Sequence, residues 1–271
     1  MLWDRNVDLE WWVGDDLFFK PLEDMFDLDP DIEAILRNHF PDHHLSIEGP
    51  WVFVHRGFIP EQGWKIHISA VDTNALRVLD KVCNVLKRYP VSFKVLKHKA
   101  LHLATNSKGF PRGSSGKWIT IYPIPDLTSK VLESLYDVLY DEVGPYILSD
   151  IRYKNAKNVY IRYGGFVMKH MINLIGEKIP HILSPSGSKY VDKRLPYFTM
   201  PPWVTWDFNF PNTLSQEDTG EISLKNGLLF TKIDEELVIA LSEHKLIEST
   251  NYLNKLNFKA EVVILNDVSY E

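Results

Sequence analysis

Apolar and polar residues alternate along this chain with two different periods, and the period changes from one segment to the next. Apolar residues three and four apart mark helices, whereas strict alternation marks strands with one buried face. After an acidic, aromatic stretch over residues 1–30, Asp29-Pro30-Asp31 predicts a helix start, with Ile32, Ile35 and Leu36 on one face. A strand pair is expected next, Trp51 to His55 and Trp64 to Val71, joined by a loop holding Gly57, Pro60 and Gly63. Leu76, Leu79, Cys83 and Leu86 form one stripe of a helix from about Thr73 to Tyr89, which Pro90 stops. Val91 to Leu96 alternates as a strand, and a short helix or turn leads through His102 and Ala104.

Lys108 to Gly116 reads as a Gly/Ser loop and Lys117 to Tyr122 as a β-rich run. Val131, Leu135 and Val138 mark a helix within Thr128 to Val143, ended by Gly144-Pro145. Asn158 to Tyr163 is expected to be a strand that stops at Gly164-Gly165. Lys178 to Pro211 reads as an ordered loop, and Leu228 to Glu271 mixes short apolar runs with charge. No internal repeat is visible. Strands and helices alternate without a βαβ rhythm, so the expected class is α+β, with antiparallel or mixed sheets and surrounding helices.

Composition narrows the chemistry. With 271 residues, 45% of them hydrophobic, the chain can bury a core as one large domain or as one domain with an appendage. One cysteine, Cys83, excludes an intrachain disulfide and a cysteine-based zinc site; it reads as a core filler. No apolar run approaches the ~18 residues of a membrane span, and Asp4, Asp8 and Glu10 are the opposite of a signal peptide. The cytoplasm is the expected compartment, with no membrane partner. A net charge of −6 argues against nucleic-acid partners but leaves room for a local cationic pocket.

Four segments could build such a pocket. In Trp64-Lys65-Ile66-His67-Ile68-Ser69-Ala70, strand alternation sets Lys65, His67 and Ser69 on one face against an apolar face. Lys94 faces away from Val91, Phe93 and Val95. Each of these alone is equally a solvated polar position. Arg112 lies in Gly109-Phe110-Pro111-Arg112-Gly113-Ser114-Ser115-Gly116-Lys117, which fails the P-loop pattern because Pro111 and Trp118 occupy its Gly and Ser/Thr positions. Its backbone and basic side chains can still meet an anion. Arg152 and Arg162 complete the set, Arg162 beside Tyr160; a buried pair with Asp150 is the competing role for Arg162. His39, His43 and His44 have only loop spacing to suggest a metal site.

Trp64–Ala70, Phe93-Lys94, Gly116-Lys117-Trp118-Ile119-Thr120-Ile121-Tyr122-Pro123 and Tyr160-Ile161-Arg162-Tyr163-Gly164-Gly165-Phe166 occur in that order. Together they resemble the N-terminal lyase domain of class III and class IV lanthipeptide synthetases, itself similar to the phosphothreonine lyase effectors of pathogenic bacteria. The likeness covers roughly residues 45–205, including Leu195-Pro196-Tyr197-Phe198 and Pro202-Trp203-Val204. It implies a phosphothreonine-lyase-like fold over 1–205, with 1–30 an acidic extension and 206–271 an appendage or the start of a following domain. It also implies metal-independent, cofactor-free β-elimination of phosphate from phosphoserine or phosphothreonine, giving dehydroalanine or dehydrobutyrine in a leader-bearing precursor peptide. By the same resemblance Lys94 is the base, His67 the acid and Tyr122 a tyrosine near the substrate. Lys65 and Arg112 become phosphate ligands, with Arg152, Arg162 and Lys117 as further candidates.

The chemistry is consistent with those roles. Guanidinium groups bind a phosphate dianion in two-pronged fashion. Neighbouring cations ease deprotonation of a lysine, and a bound phosphate favours imidazolium. The family continues into kinase and cyclase-like domains, which are the expected partners, yet nothing after residue 205 shows a Gly-rich loop or a kinase catalytic motif. Ile151 stands where the family often has another arginine. Two alternatives remain open: an effector-like lyase acting on a folded phosphoprotein, and a catalytically silent phosphopeptide-binding module.

Overall fold

The computed structural model describes residues 22–172, 176, 178–192, 195–205, 208, 224–225, 228–233 and 236–240. Most of the acidic 1–30 stretch and all of the sequence beyond 240 lie outside the described residues. The chain divides into two compact units, Met1–Phe208 and Asn209–Glu271.

Seven strands make the central sheet of the first unit. They are β1 (Leu45–Glu48), β2 (Trp51–Val54), β3 (Gln62–Ile68), β4 (Ser92–Leu96), β5 (Ile119–Tyr122), β6 (Ile151–Arg152) and β7 (Val159–Gly165). Their order across the sheet is β1-β2-β4-β5-β3-β7-β6, and every neighbouring pair is antiparallel. The fold class is thus α+β. The expected pairing of the Trp51 and Trp64 strands does not occur, because β4 and β5 lie between β2 and β3. β7 also runs through Gly164 and Gly165 instead of stopping there.

One face of this sheet is apolar throughout: Ile66, Ile68, Phe93, Val95, Ile119, Ile121, Val159 and Ile161 are fully buried. Three helices cover the core, α1 (Pro30–His39), α2 (Ala75–Leu86) and α4 (Pro125–Leu139), with the shorter α3 (Lys99–Thr105) beside β4. Asp29 caps α1 by accepting the Asp31 N–H at 3.0 Å, and Pro30 opens its first turn. The α2 stripe is wider than its spacing suggests: Val78, Val82 and Val85 join Leu79, Cys83 and Leu86 in the core, with Leu76 half-buried. On α4 the buried line is Val131, Leu132, Leu135 and Leu139, with Val138 at its margin. Burying each such aliphatic side chain contributes about 1.5–3 kcal/mol, which fixes the sheet with its other face outward.

Arg56 secures the C-terminal end of α2 by donating to the Leu86, Tyr89 and Lys87 carbonyls. A second sheet, β8 (His170–Ile172), β9 (Lys178–Leu183) and β10 (Lys189–Val191), is ordered β10-β9-β8. It occupies part of the 178–211 segment expected to be loop; the Pro and Gly residues there sit among strands too short for periodicity to reveal. In the second unit, β11 (Leu224–Lys225), β12 (Leu228–Ile233) and β13 (Glu236–Ala240) form a three-stranded antiparallel sheet. Among the described residues no helix is long and apolar enough to cross a membrane.

Candidate active site

Antiparallel pairing places directly opposed residues on the same sheet face. Followed strand by strand, the register gives one transverse row across all seven strands. Ser46 is opposite Phe53, Phe53 opposite Lys94, and Lys94 opposite Thr120. Thr120 is opposite His67, His67 opposite Tyr160, and Tyr160 opposite Arg152. The row therefore lies on the face opposite the apolar core. One strand separates Lys94 from His67, so their backbones stand roughly 10 Å apart.

A parallel row runs two residues along. There Ser92 is opposite Tyr122, and Lys65 is opposite Arg162. Continuing the β3–β5 register sets Tyr122 beside Lys65. Lys65, His67, Lys94, Tyr122, Arg152 and Arg162 thus share one face, although five separate strands supply them.

That face is largely covered. Lys65, His67, Thr120, Tyr122, Tyr160 and Arg162 are buried, while Lys94 and Arg152 are half-buried. Tyr146 stacks edge-on against Tyr160 at 5.3 Å, and Phe166 packs on Tyr122 at 5.2 Å. Lys94 is not a solvated lysine. Its Nζ lies 4.2 Å from the centre of the Trp51 ring and 5.4 Å from that of Phe53.

His67 Nδ1 bonds to the Asp150 carboxylate, and both groups are buried. Ser149 donates its hydroxyl to Asp150 Oδ1 at 2.6 Å, and Lys117 Nζ lies 3.8 Å from the same oxygen. Burial alone would push the Asp150 carboxyl up. In the acid range where Asp150 titrates, the charge on His67, that of Lys117 and the hydrogen bonds overcome it and hold Asp150 below the usual carboxylate range. Burial depresses His67 to about 4, against the opposing pull of Asp150 and with help from Lys117 and Lys65. The pair is therefore neutral imidazole with carboxylate. Nδ1–H donates to Asp150, and Nε2 is the nitrogen turned away from it.

The remaining basic residues are placed differently from expectation. Arg162 does not pair with Asp150; its Nη2 donates to Asp192 Oδ1 at 2.7 Å. The Gly165 N–H donates to the other Asp192 oxygen at 3.0 Å. Gly164 allows this approach, since a Cβ there would stand 3.1 Å from both carboxylate oxygens. Lys117 donates to the Gly113 carbonyl at 2.9 Å beside Asp150, so it neutralises the aspartate behind His67. Arg112 is exposed on its loop, with its guanidinium on the Lys108 carbonyl at 2.7 Å, and it is not part of either row. His39 and His43 face Asp80 and Arg56 respectively, and His44 stacks near His55.

Four residues of the site are not assigned by sequence reasoning. By sequence Asp150 is a partner for Arg162, and nothing local links it to a histidine 83 positions away. Asp192 lay in the segment read as loop. Trp51 and Phe53 did carry a signal, the alternation of Trp51-Val52-Phe53-Val54, whose apolar half is Val52 and Val54.

The polar sheet face of this α+β domain gathers two lysines, two arginines and a buried His–Asp pair, groups whose chemistry suits an anion and a proton transfer beside it. This chain belongs to the RamC N-terminal domain family, whose profile matches residues 32–220. The membership agrees with the lanthipeptide-synthetase resemblance carried by Trp64–Ala70 and the segments after it. A probable SapB synthase of Streptomyces coelicolor is 37% identical over 147 residues, or 54% of this chain and 16% of that protein. The match thus spans less than a fifth of the relative's length. Among solved structures, the phosphothreonine lyase SpvC of Salmonella aligns with a TM-score of 0.37 at 23% identity, covering 49% of this chain and 75% of that one. The type III effector and phosphothreonine lyase OspF of Shigella flexneri aligns with a TM-score of 0.38 at 16% identity, covering 50% and 77%. Superpositions that loose add nothing to the reading of the site.

Proposed function

We propose that this domain eliminates phosphate from phosphoserine or phosphothreonine in a lanthipeptide precursor peptide, leaving dehydroalanine or dehydrobutyrine, without a metal. The observation that carries this reading is the single row bearing Lys94 and His67, flanked on the same face by Lys65, Arg152 and Arg162.

In this reading the phosphate dianion lies against Lys65 and the arginines, whose charge also stabilises the negative charge that builds as it leaves. Lys94, as free amine, takes the Cα proton. The electron pair of that C–H bond becomes the new Cα–Cβ double bond, and the Cβ–O bond breaks with its pair going to phosphate. His67, charged once the dianion is bound, gives its Nε2 proton to the departing oxygen. Asp150 holds the ring in the orientation this requires. Tyr122 packs beside Lys65 and limits water at the phosphate. Lys117 acts behind His67 instead of on the substrate, and Arg112, on an exposed loop outside both rows, has no direct part in this reading. The peptide leader, the kinase that phosphorylates it and the cyclase that uses the alkene are the partners this chemistry requires.

The test is incubation of the chelator-treated protein with a phosphorylated peptide, followed by mass analysis. Elimination gives a product one water lighter than the dephosphorylated peptide. A phosphatase gives the dephosphorylated peptide itself, and a silent binder leaves the substrate unchanged. Turnover of folded phosphoproteins in preference to peptides would favour the effector-like alternative.

A further inference from the structure

Lys94 is held from the side away from His67. Phe53 stands directly opposite it on β2, and Trp51 is its diagonal neighbour on the same face. The ammonium lies closer to the Trp51 ring centre, at 4.2 Å, than to that of Phe53, at 5.4 Å. Both aromatic residues are half-buried, as is Lys94, so these contacts are partly shielded from water.

We propose that Trp51, supported by Phe53, is a positioning residue that keeps the Lys94 amine on the Cα side of the substrate and away from the phosphate. The proposal rests on the reading of Lys94 as the base. A lysine side chain has several rotatable bonds and about 2 kcal/mol of rotamer entropy, so a sheet position alone does not aim it. A dianion across the row attracts any loose ammonium. Drawn there, Lys94 would become one more phosphate ligand, displaced from the Cα proton it must take. The ring face offers a competing resting place on the β2 side, away from the strand that carries His67.

This predicts a split that a merely structural residue would not produce. Trp51→Leu lowers kcat about ten- to a hundredfold, while KM stays level or falls, because the ammonium then adds a contact to the phosphate. Trp51→Phe keeps a ring face and restores most of the loss. An independent readout uses protein labelled with 13C at lysine side chains. The Lys94 Hε signal, assigned by its loss in Lys94→Ala, is shifted upfield by the indole ring current and returns toward the ordinary lysine position in Trp51→Leu. An unshifted Lys94 signal in the parent protein, or full kcat in Trp51→Leu, would overturn the inference. If the parent protein eliminates nothing, the lyase reading itself fails; if parent and Trp51→Leu eliminate equally, only the role of Trp51 fails.

Discussion

Lys94 and His67 are each paired directly with Thr120, from opposite sides, so that a lysine and an imidazole face one another across a single strand of the sheet. Everything proposed for this domain follows from that relationship. Each side chain alone has an ordinary role available, and only the register brings them to one row.

Asp150 gives the first prediction. Its carboxylate fixes the imidazole with Nδ1–H toward the core and Nε2 outward. In Asp150→Asn the amide nitrogen can instead donate to Nδ1 and stabilise the opposite tautomer. Elimination should fall by about a hundredfold or more, the scale of a general acid. Removing the charge also takes away the carboxylate 3.8 Å from Lys117, so stability should drop by about 1–3 kcal/mol. Steady-state kinetics on a phosphopeptide and urea denaturation check the two effects separately.

Acid stability follows from two buried histidines. His67 is depressed to about 4 chiefly by burial, and so is His102, whose Nε2 is held 3.0 Å from the Ala70 carbonyl. An unfolded histidine titrates near 6.5, so between about 6.5 and about 4 the unfolded chain binds more protons than the folded one. Stability must therefore fall as pH drops through that window, by roughly 1 kcal/mol per pH unit for each histidine. Glu142, held at about 2 mainly by its hydrogen bonds to Arg77, contributes its loss only below about 4.5. Urea midpoints measured from pH 7 to pH 5 should fall steadily, with a shallower slope in His102→Gln. A flat profile would show that these imidazoles are not buried in neutral form.

Arg162 supplies a third. Its Asp192 partner is also held by the Gly165 N–H. Asp192→Asn removes a carboxylate from a buried pair and should cost about 3 kcal/mol. If the same guanidinium receives phosphate, inorganic phosphate should raise the melting temperature of Asp192→Asn more than that of the parent protein. Equal shifts would remove Arg162 from the phosphate site.

How much of this was legible beforehand depends on the range of the interaction. The β3 alternation placed Lys65 and His67 on one face, and β4 did the same for Lys94, because strand periodicity is local. Helix positions followed from three-and-four spacing and from Pro30 and Pro90. The order of the strands did not follow. Trp51 and Trp64 strands look like neighbours in sequence, yet β4 and β5 enter between them, a choice made by packing against helices distant in the chain. Ion pairs were the least readable. Sequence offers Asp150 as the partner for Arg162, and only the fold assigns Asp150 to the histidine and Asp192 to the arginine. Arg112 shows the converse: a basic residue in a Gly/Ser loop invites a ligand role, while the loop's own carbonyl already holds its guanidinium.

The most direct measurement uses a phosphoserine peptide carrying deuterium at Cα. If Lys94 abstracts that proton, the parent protein yields a dehydroalanine peptide that has lost the deuterium, and Lys94→Ala, still binding the peptide, yields none. A serine peptide that keeps its deuterium, or undiminished elimination by Lys94→Ala, would contradict the account.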